Sequence, residues 1–152
     1  NILKDNNEFQ FYLIGNQIND PICGEDIKKF SNCHFIGHIK NREEIAKYYR
    51  SCDIFIFPAK DDCSPNVVLE AMSSGLPVIT IDSGGNLELI RKGELKGGVI
   101  LNDSNPILAV KTIVDNYSFF KKNCLQIIKK YYDISLIVET YKKEILRLAK
   151  KT

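Results

Sequence analysis

Along this chain two rhythms of apolar positions alternate. Short apolar runs are closed by glycine or proline, and between them lie longer stretches with helical spacing. The clearest unit runs from Asp53 to Asp82. Asp53-Ile54-Phe55-Ile56-Phe57-Pro58 has the pattern of a strand buried on both faces. Pro77-Val78-Ile79-Thr80-Ile81 is a second such run. The segment between them reads as a helix. Ser64 suits an N-cap, and Pro65 suits the first helical turn, where a missing N–H costs nothing. Gly75 suits the left-handed position past the helix end. At 100° per residue, Val67, Val68, Leu69, Ala71 and Met72 cover an apolar arc of roughly 200°. A surface helix needs only about 100°. This helix is therefore expected to be covered on most sides, with Glu70 on its one polar stripe beside Asn66, Ser73 and Ser74.

The same alternation extends along the rest of the chain. Phe9 to Ile14 predicts a strand ending at Gly15-Asn16, Gly24 to Phe30 a short helix, and Cys33 to Ile36 a strand closed by Gly37. Asn41-Arg42-Glu43-Glu44 opens a helix with Ile45, Tyr48 and Tyr49 on its apolar side. After the central unit come the turn Ser83-Gly84-Gly85-Asn86, a helical turn at Leu87–Ile90 and a strand after Gly97-Gly98. Asn105-Pro106 and Ser118 open two further helices, and Asp133 caps a last one. In that last helix Ile134, Ile137, Val138, Tyr141, Ile145 and Leu148 form one apolar stripe. Strands alternating with helices predict an α/β fold with a doubly wound parallel sheet. Five strands, near 9–14, 33–36, 53–57, 77–81 and 98–101, are expected in one parallel sheet with helices on both faces.

Composition narrows the class. The chain has 152 residues, 44% hydrophobic and 26% charged, which fits one globular domain with a real core. No apolar run reaches the ~18–20 residues of a membrane span. The five cysteines are odd in number and form no CxxC pair, so free thiols and a cytoplasmic setting are expected. No signal peptide opens the chain, and a start at Asn1 reads as a fragment. The net charge of +2 is unevenly spread: residues 121–152 hold nine bases against three acids, a local +6. Such a stretch suits a solvated helix face or peripheral contact with an anionic membrane.

The chemistry-bearing residues cluster around the central helix. Asp62 lies in the loop before it and Glu70 eight positions later, with the free N–H groups of the helix start between them. Those N–H groups favour an anion. The ridge suits a ligand with both a phosphate and hydroxyls; an ordinary solvated glutamate fits the same spacing. His38-Ile39-Lys40 and Gly15-Asn16 sit where strands end, the edge at which open α/β sheets place ligands. There is no His, Cys and carboxylate cluster with metal spacing, no GxGxxG after a strand and no Walker sequence. A nucleophile elbow and a basic-aromatic pattern for nucleic acid are also lacking.

Cys52 to Pro58, followed by Ser64-Pro65-Asn66-Val67-Val68-Leu69-Glu70-Ala71-Met72-Ser73-Ser74-Gly75-Leu76-Pro77-Val78-Ile79, resembles the C-terminal donor-binding half of GT-B glycosyltransferases. The resemblance is to the retaining glycosyltransferase family 4, the glycosyl transferases group 1. Its E-x7-E motif falls on Asp62 and Glu70, with Asp62 one methylene shorter than the usual Glu. Phe35-Ile36-Gly37-His38-Ile39 is similar to the family's strand and base-contacting loop. Gly84-Gly85-Asn86-Leu87-Glu88 is similar to its GG-x-x-E turn, and Tyr131 to Tyr141 to its closing helices.

The resemblance implies that residues 1–152 are a Rossmann-like nucleotide-sugar donor-binding domain. The acceptor-binding domain, and this domain's own first strand and helix with their diphosphate-binding Arg and Lys, have no counterpart here. It implies transfer of a sugar, with retention, from a nucleotide-sugar to a glycan or lipid-linked acceptor, without metal or other cofactor. His38, Ile39 and Lys40 would hold the base, and Glu70 the ribose hydroxyls. The N–H groups around Ser64, Pro65, Asn66 and Val67 would meet the diphosphate, bordered by Gly15 and Asn16. Asp62 would face the sugar as the catalytic carboxylate. Lys40 and Lys60 are the nearby cations. The competing readings are a nucleotide-sugar epimerase of related fold and a non-catalytic binding or scaffolding domain.

Overall fold

The computed structural model describes residues 8–15, 30–101 and 105–149. The chain divides into two compact units, Asn1–Tyr48 and Tyr49–Thr152. Residues 24–29 of the helix expected at 24–30 lie outside the described residues, as do the site residue Asn16 and Cys23, while Phe30 is not helical.

In the first unit, β1 (Phe11–Ile14) and β2 (Cys33–Gly37) pair in parallel, with Phe11 opposite Cys33 and Leu13 opposite Phe35. Asn32 is buried and its amide donates to the Phe9 carbonyl at 3.1 Å, tying the strand entrances together. His34, inside β2, stacks on Tyr12 at 5.0 Å and lies 2.8 Å from the Gln10 side-chain oxygen. It is a strand residue with a local partner. Helix α1 (Arg42–Ser51) follows, and its last residues, from Tyr49, belong to the second unit. The Asn41 side chain caps it, accepting from the Glu43 N–H at 2.8 Å, and Glu43 and Glu44 place negative charge at the positive end of the helix dipole.

In the second unit, β3 (Phe55–Phe57), β4 (Val78–Thr80) and β7 (Gly98–Ile100) form a parallel sheet in the order β3-β4-β7. Helix α2 (Asn66–Ser73) joins β3 to β4. Helix α3 (Asn86–Ile90) leads into a two-residue hairpin, β5 (Arg91–Lys92) and β6 (Leu95–Lys96), before β7. Helices α4 (Pro106–Asp115) and α5 (Tyr117–Ile127), a π-helical turn (Ile128–Tyr132) and α6 (Ile134–Ala149) complete it. The core gathers Val68 and Met72 of α2, Val78, Leu89, Ile90, Ile100, Cys124 and Ile127. Met72 and Val68 are fully buried, each contributing roughly 1.5–3 kcal/mol of apolar burial.

Three expectations are corrected. The five parallel strands form two sheets, β1-β2 and β3-β4-β7, because no described segment pairs with both β1 and β3. The 53–58 run is not buried on both faces. β3 is an edge strand and Ile56 is 41% exposed, whereas central β4 is buried at Val78, Ile79 and Thr80. Helix α2 is less wrapped than its arc implied: Val68, Ala71 and Met72 are buried, but Val67 is exposed. The last helix does carry the apolar stripe, and Ile134, Val138, Tyr141, Ile145 and Leu148 on it are all exposed. Among the described residues no helix is long and apolar enough to cross a membrane.

Candidate functional site

The segment from Pro58 to Pro65 connects β3 to α2 and carries Asp62. A turn at Ser83–Asn86, at the far end of β4, fixes its course. The Asp61 N–H donates to Ser83 Oγ at 3.0 Å, and the Gly85 N–H donates to the Asp62 carbonyl at 2.9 Å. The fully buried Asn86 side chain donates from Nδ2 to the Ala59 carbonyl at 3.2 Å and lies 3.4 Å from the Ile81 carbonyl. Both glycines of the turn are required by this approach. A Cβ on Gly84 would overlap the Asp62 carbonyl, and one on Gly85 the Cys63 carbonyl. Gly84 also has φ +56°, a left-handed conformation that side chains rarely adopt. The loop itself contains Asp61 at φ 59°, the one positive-φ non-glycine among the described residues. Such strain persists only where surroundings over-determine the backbone, and the Ser83–Asn86 turn does so here.

Asp62 is half-buried, and its Oδ1 accepts from the Ser64 N–H at 3.0 Å. One carboxylate oxygen therefore stabilises the loop. This corrects the role expected of Ser64. Helix α2 begins one residue later than expected, with Pro65 at its N-cap and no side chain capping it, so the oxygen serving this turn belongs to Asp62. The buried Pro65 has no N–H to lose there. Asn66 and Val67 are exposed at the uncapped start of α2. Helix starts of this kind leave backbone N–H groups directed outward, with the positive end of the dipole behind them.

Glu70 is exposed one turn further along α2, and its Oε2 accepts from the Tyr49 hydroxyl at 3.3 Å. Tyr49 stands at the end of α1, half-buried, with its ring edge-on to Phe55 at 5.7 Å and 78°. Phe55 stacks in turn on Phe57 at 6.2 Å. Burial, and secondarily the charge and hydrogen bond of Glu70, push the Tyr49 phenol far above its ordinary range, so it remains a donor. The sequence reading assigned Tyr49 to the apolar side of its helix. Its partner lies 21 residues away, and no local spacing marks that contact.

The remaining predicted residues divide between the units. In the first, the Gly15 N–H donates to the Gly37 carbonyl at 3.0 Å, placing Gly15 at the same strand ends from which His38, Ile39 and Lys40 continue. His38 and Lys40 are exposed, while Ile39 is buried. In the second unit, Asp62 and Ser64 lie in the loop before α2, Pro65 is buried at its N-cap, and Asn66, Val67 and Glu70 are exposed on α2. Lys60 is exposed at its approach. Glu88 of the glycine turn is salt-bridged to Lys92 at 3.0 Å. Among the described residues no group of three His, Cys, Asp or Glu could hold a metal ion. A shallow cleft of about 420 Å³ on α5 and the π-helical turn, lined by Ser118, Lys121, Lys122, Leu125, Gln126 and Lys129, involves none of the predicted site residues.

Comparison with known proteins places this geometry in context. A family model described as glycosyl transferases group 1 matches residues 1–118. The sulfoquinovosyl transferase SQD2 of Arabidopsis thaliana is 36% identical over 89 residues, covering 56% of this chain and 17% of that protein. The N,N'-diacetylbacillosaminyl-diphospho-undecaprenol alpha-1,3-N-acetylgalactosaminyltransferase of Campylobacter jejuni is 30% identical over 89 residues, covering 59% of this chain and 23% of its own length. Among solved structures, the pneumococcal O-GlcNAc transferase GtfA in complex with UDP and GlcNAc superposes with a TM-score of 0.71 at 17% identity, over 92% of this chain and 29% of that one. The sucrose-phosphate synthase of Thermosynechococcus elongatus gives 0.73 at 19% identity, over 94% and 39%. These structural likenesses establish a shared α/β fold, of which the chain is a part.

Proposed function

The chain belongs to the glycosyl transferases group 1, and on that premise we propose that it is the C-terminal, donor-binding domain of a retaining family 4 enzyme. That enzyme transfers a sugar from a nucleotide-sugar to a glycan or lipid-linked acceptor. The observation that carries the reading is the ridge from Asp62 through the uncapped start of α2 to Glu70, held by the Ser83–Asn86 turn.

Each part of the ridge meets a different part of the donor. Glu70 accepts hydrogen bonds from the two ribose hydroxyls, because a carboxylate makes short, charge-assisted bonds to a diol. The backbone N–H groups of Asn66 and Val67 receive the diphosphate. As the bond between the sugar and the diphosphate opens, the leaving group takes the electron pair. The helix start and nearby lysines such as Lys60 then stabilise its growing negative charge. The free oxygen of Asp62 faces the sugar, which gains positive charge in the same step. In the first unit, His38, Ile39 and Lys40 correspond to the base-contacting loop of the family that the sequence resembles. No step calls for a metal. The basic stretch from residue 121 onward meets anionic lipid where the acceptor is lipid-linked.

One observation favours a second reading, a domain that binds the donor without catalysing transfer: the carboxylate of Asp62 is short and already engaged with the Ser64 N–H. A transfer assay on the full-length protein with Asp62→Asn separates the two, since only the catalytic reading expects loss of turnover with donor affinity retained. The donor site itself is tested by Glu70→Gln in a calorimetric titration with UDP. Losing a hydrogen bond to a charged partner costs about 1.5–3 kcal/mol, roughly tenfold or more in affinity. Thermal stability should hardly change, because Glu70 is exposed. Equal affinity in the two proteins would remove Glu70 from the site.

A further inference from the structure

The Tyr49 hydroxyl is bound to one oxygen of Glu70 and its ring is held against Phe55. An exposed glutamate on a helix ordinarily samples several rotamers, and a ligand that needs one of them must select it. Here a half-buried tyrosine, on a different helix, selects it beforehand. The phenol keeps its proton, so at any ordinary pH it donates and Glu70 accepts. A carboxylate has about four acceptor sites on its two oxygens, so one bond from Tyr49 leaves room for two hydroxyls.

We propose that Tyr49 is a positioning residue for donor binding, fixing the Glu70 carboxylate in the orientation that receives the ribose diol. The inference rests on the reading of Glu70 given above. Tyr49 itself touches no substrate in this account. Its ring also packs against β3, so removing the whole side chain would confuse packing with positioning. Tyr49→Phe keeps the ring on Phe55 and deletes only the hydroxyl.

The experiment is a double-mutant cycle read by NMR titration of this chain with UDP, using Tyr49→Phe, Glu70→Ala and the pair, with a thermal melt of each protein. Tyr49→Phe should weaken UDP binding about three- to tenfold, the range expected for one hydrogen bond, with the melting temperature close to that of the parent. In the Glu70→Ala background the same substitution should have no further effect, because the group it positions is gone. Unchanged affinity in Tyr49→Phe, while Glu70→Ala binds weakly, would overturn the role of Tyr49 and leave that of Glu70 standing. A Tyr49→Phe loss that persists undiminished without Glu70 would also overturn it, assigning the effect to packing. Unchanged affinity in Glu70→Ala would instead overturn the ribose assignment itself, and the inference with it.

Discussion

Substituting Gly85 by alanine puts a methyl group where the Cys63 carbonyl now lies. Gly85 has φ −89° and ψ 2°, a conformation that alanine adopts without strain, so the effect reports the close approach alone. Two costs arise. Overpacking against backbone, which cannot rotate away, costs typically 1–3 kcal/mol. If the 61–64 loop retreats, the bond from the Gly85 N–H to the Asp62 carbonyl at 2.9 Å is lost, worth about 1 kcal/mol. Against these, replacing glycine by alanine restricts the unfolded chain and returns about 0.4–1 kcal/mol. The net expectation is destabilisation by roughly 1–3 kcal/mol, or about 2–4 °C in melting temperature for each kcal/mol at this chain length. Because the retreating loop carries Asp62 and leads into α2, UDP affinity should fall as well. The assays are urea unfolding and UDP titration on parent and variant. A Gly85→Ala protein with parental stability and affinity would refute the claim that the turn clamps the loop.

Other outcomes follow from the same structure. The Cys124 thiol lies 3.2 Å from the Leu76 carbonyl and 3.0 Å from that of Gly97, in the core, and burial pushes its pKa up to about 12 from 9.0. The unfolded thiol ionises first, so this contribution to stability is complete below pH 9 and is lost as pH rises towards 12. Urea midpoints at pH 8 and pH 10.5 should therefore fall less in Cys124→Ala than in the parent; equal falls would refute it. This chain by itself should bind UDP yet transfer no sugar. Holding donor and acceptor in near-attack geometry supplies roughly 7–11 kcal/mol of such barriers, and the chain covers only 17% and 23% of the two curated transferases compared above. Turnover in a transfer assay with the 152-residue chain alone would overturn that expectation.

What could be read from the sequence was what local chemistry determines. Helix α2 is bounded by Ser64-Pro65 and Gly75, and Gly75 does take φ +79° just past its end. Asn41, Asn105 and Asp133 each accept a backbone N–H at the start of a helix, where their side chains predict caps. What escaped depends on partners distant in sequence. Whether Ile56 is covered depends on β3 lying at a sheet edge, which its own apolar run does not encode. The hairpin Arg91–Lys96 has strands too short to show alternation, and Gly93 at φ +58° is its only local mark. The π-helical turn at Ile128–Tyr132 spans too few residues for its spacing to differ visibly from an α-helix. At the site, the loop position of Asp62 and the helical position of Asn66, Val67 and Glu70 were legible from spacing. Tyr49 was not, because its apolar ring fits a packing role and its hydroxyl is satisfied only through the fold.

The central claim is that the ridge from the Asp62 loop to Glu70 receives a nucleoside diphosphate, and its most direct test is a two-dimensional NMR titration of this chain with UDP. The account predicts saturable shifts at the backbone amides of Asn66 and Val67 and at the Glu70 side chain, with Tyr49 following Glu70. Shifts that avoid Asn66, Val67 and Glu70, or no binding at all, would contradict it.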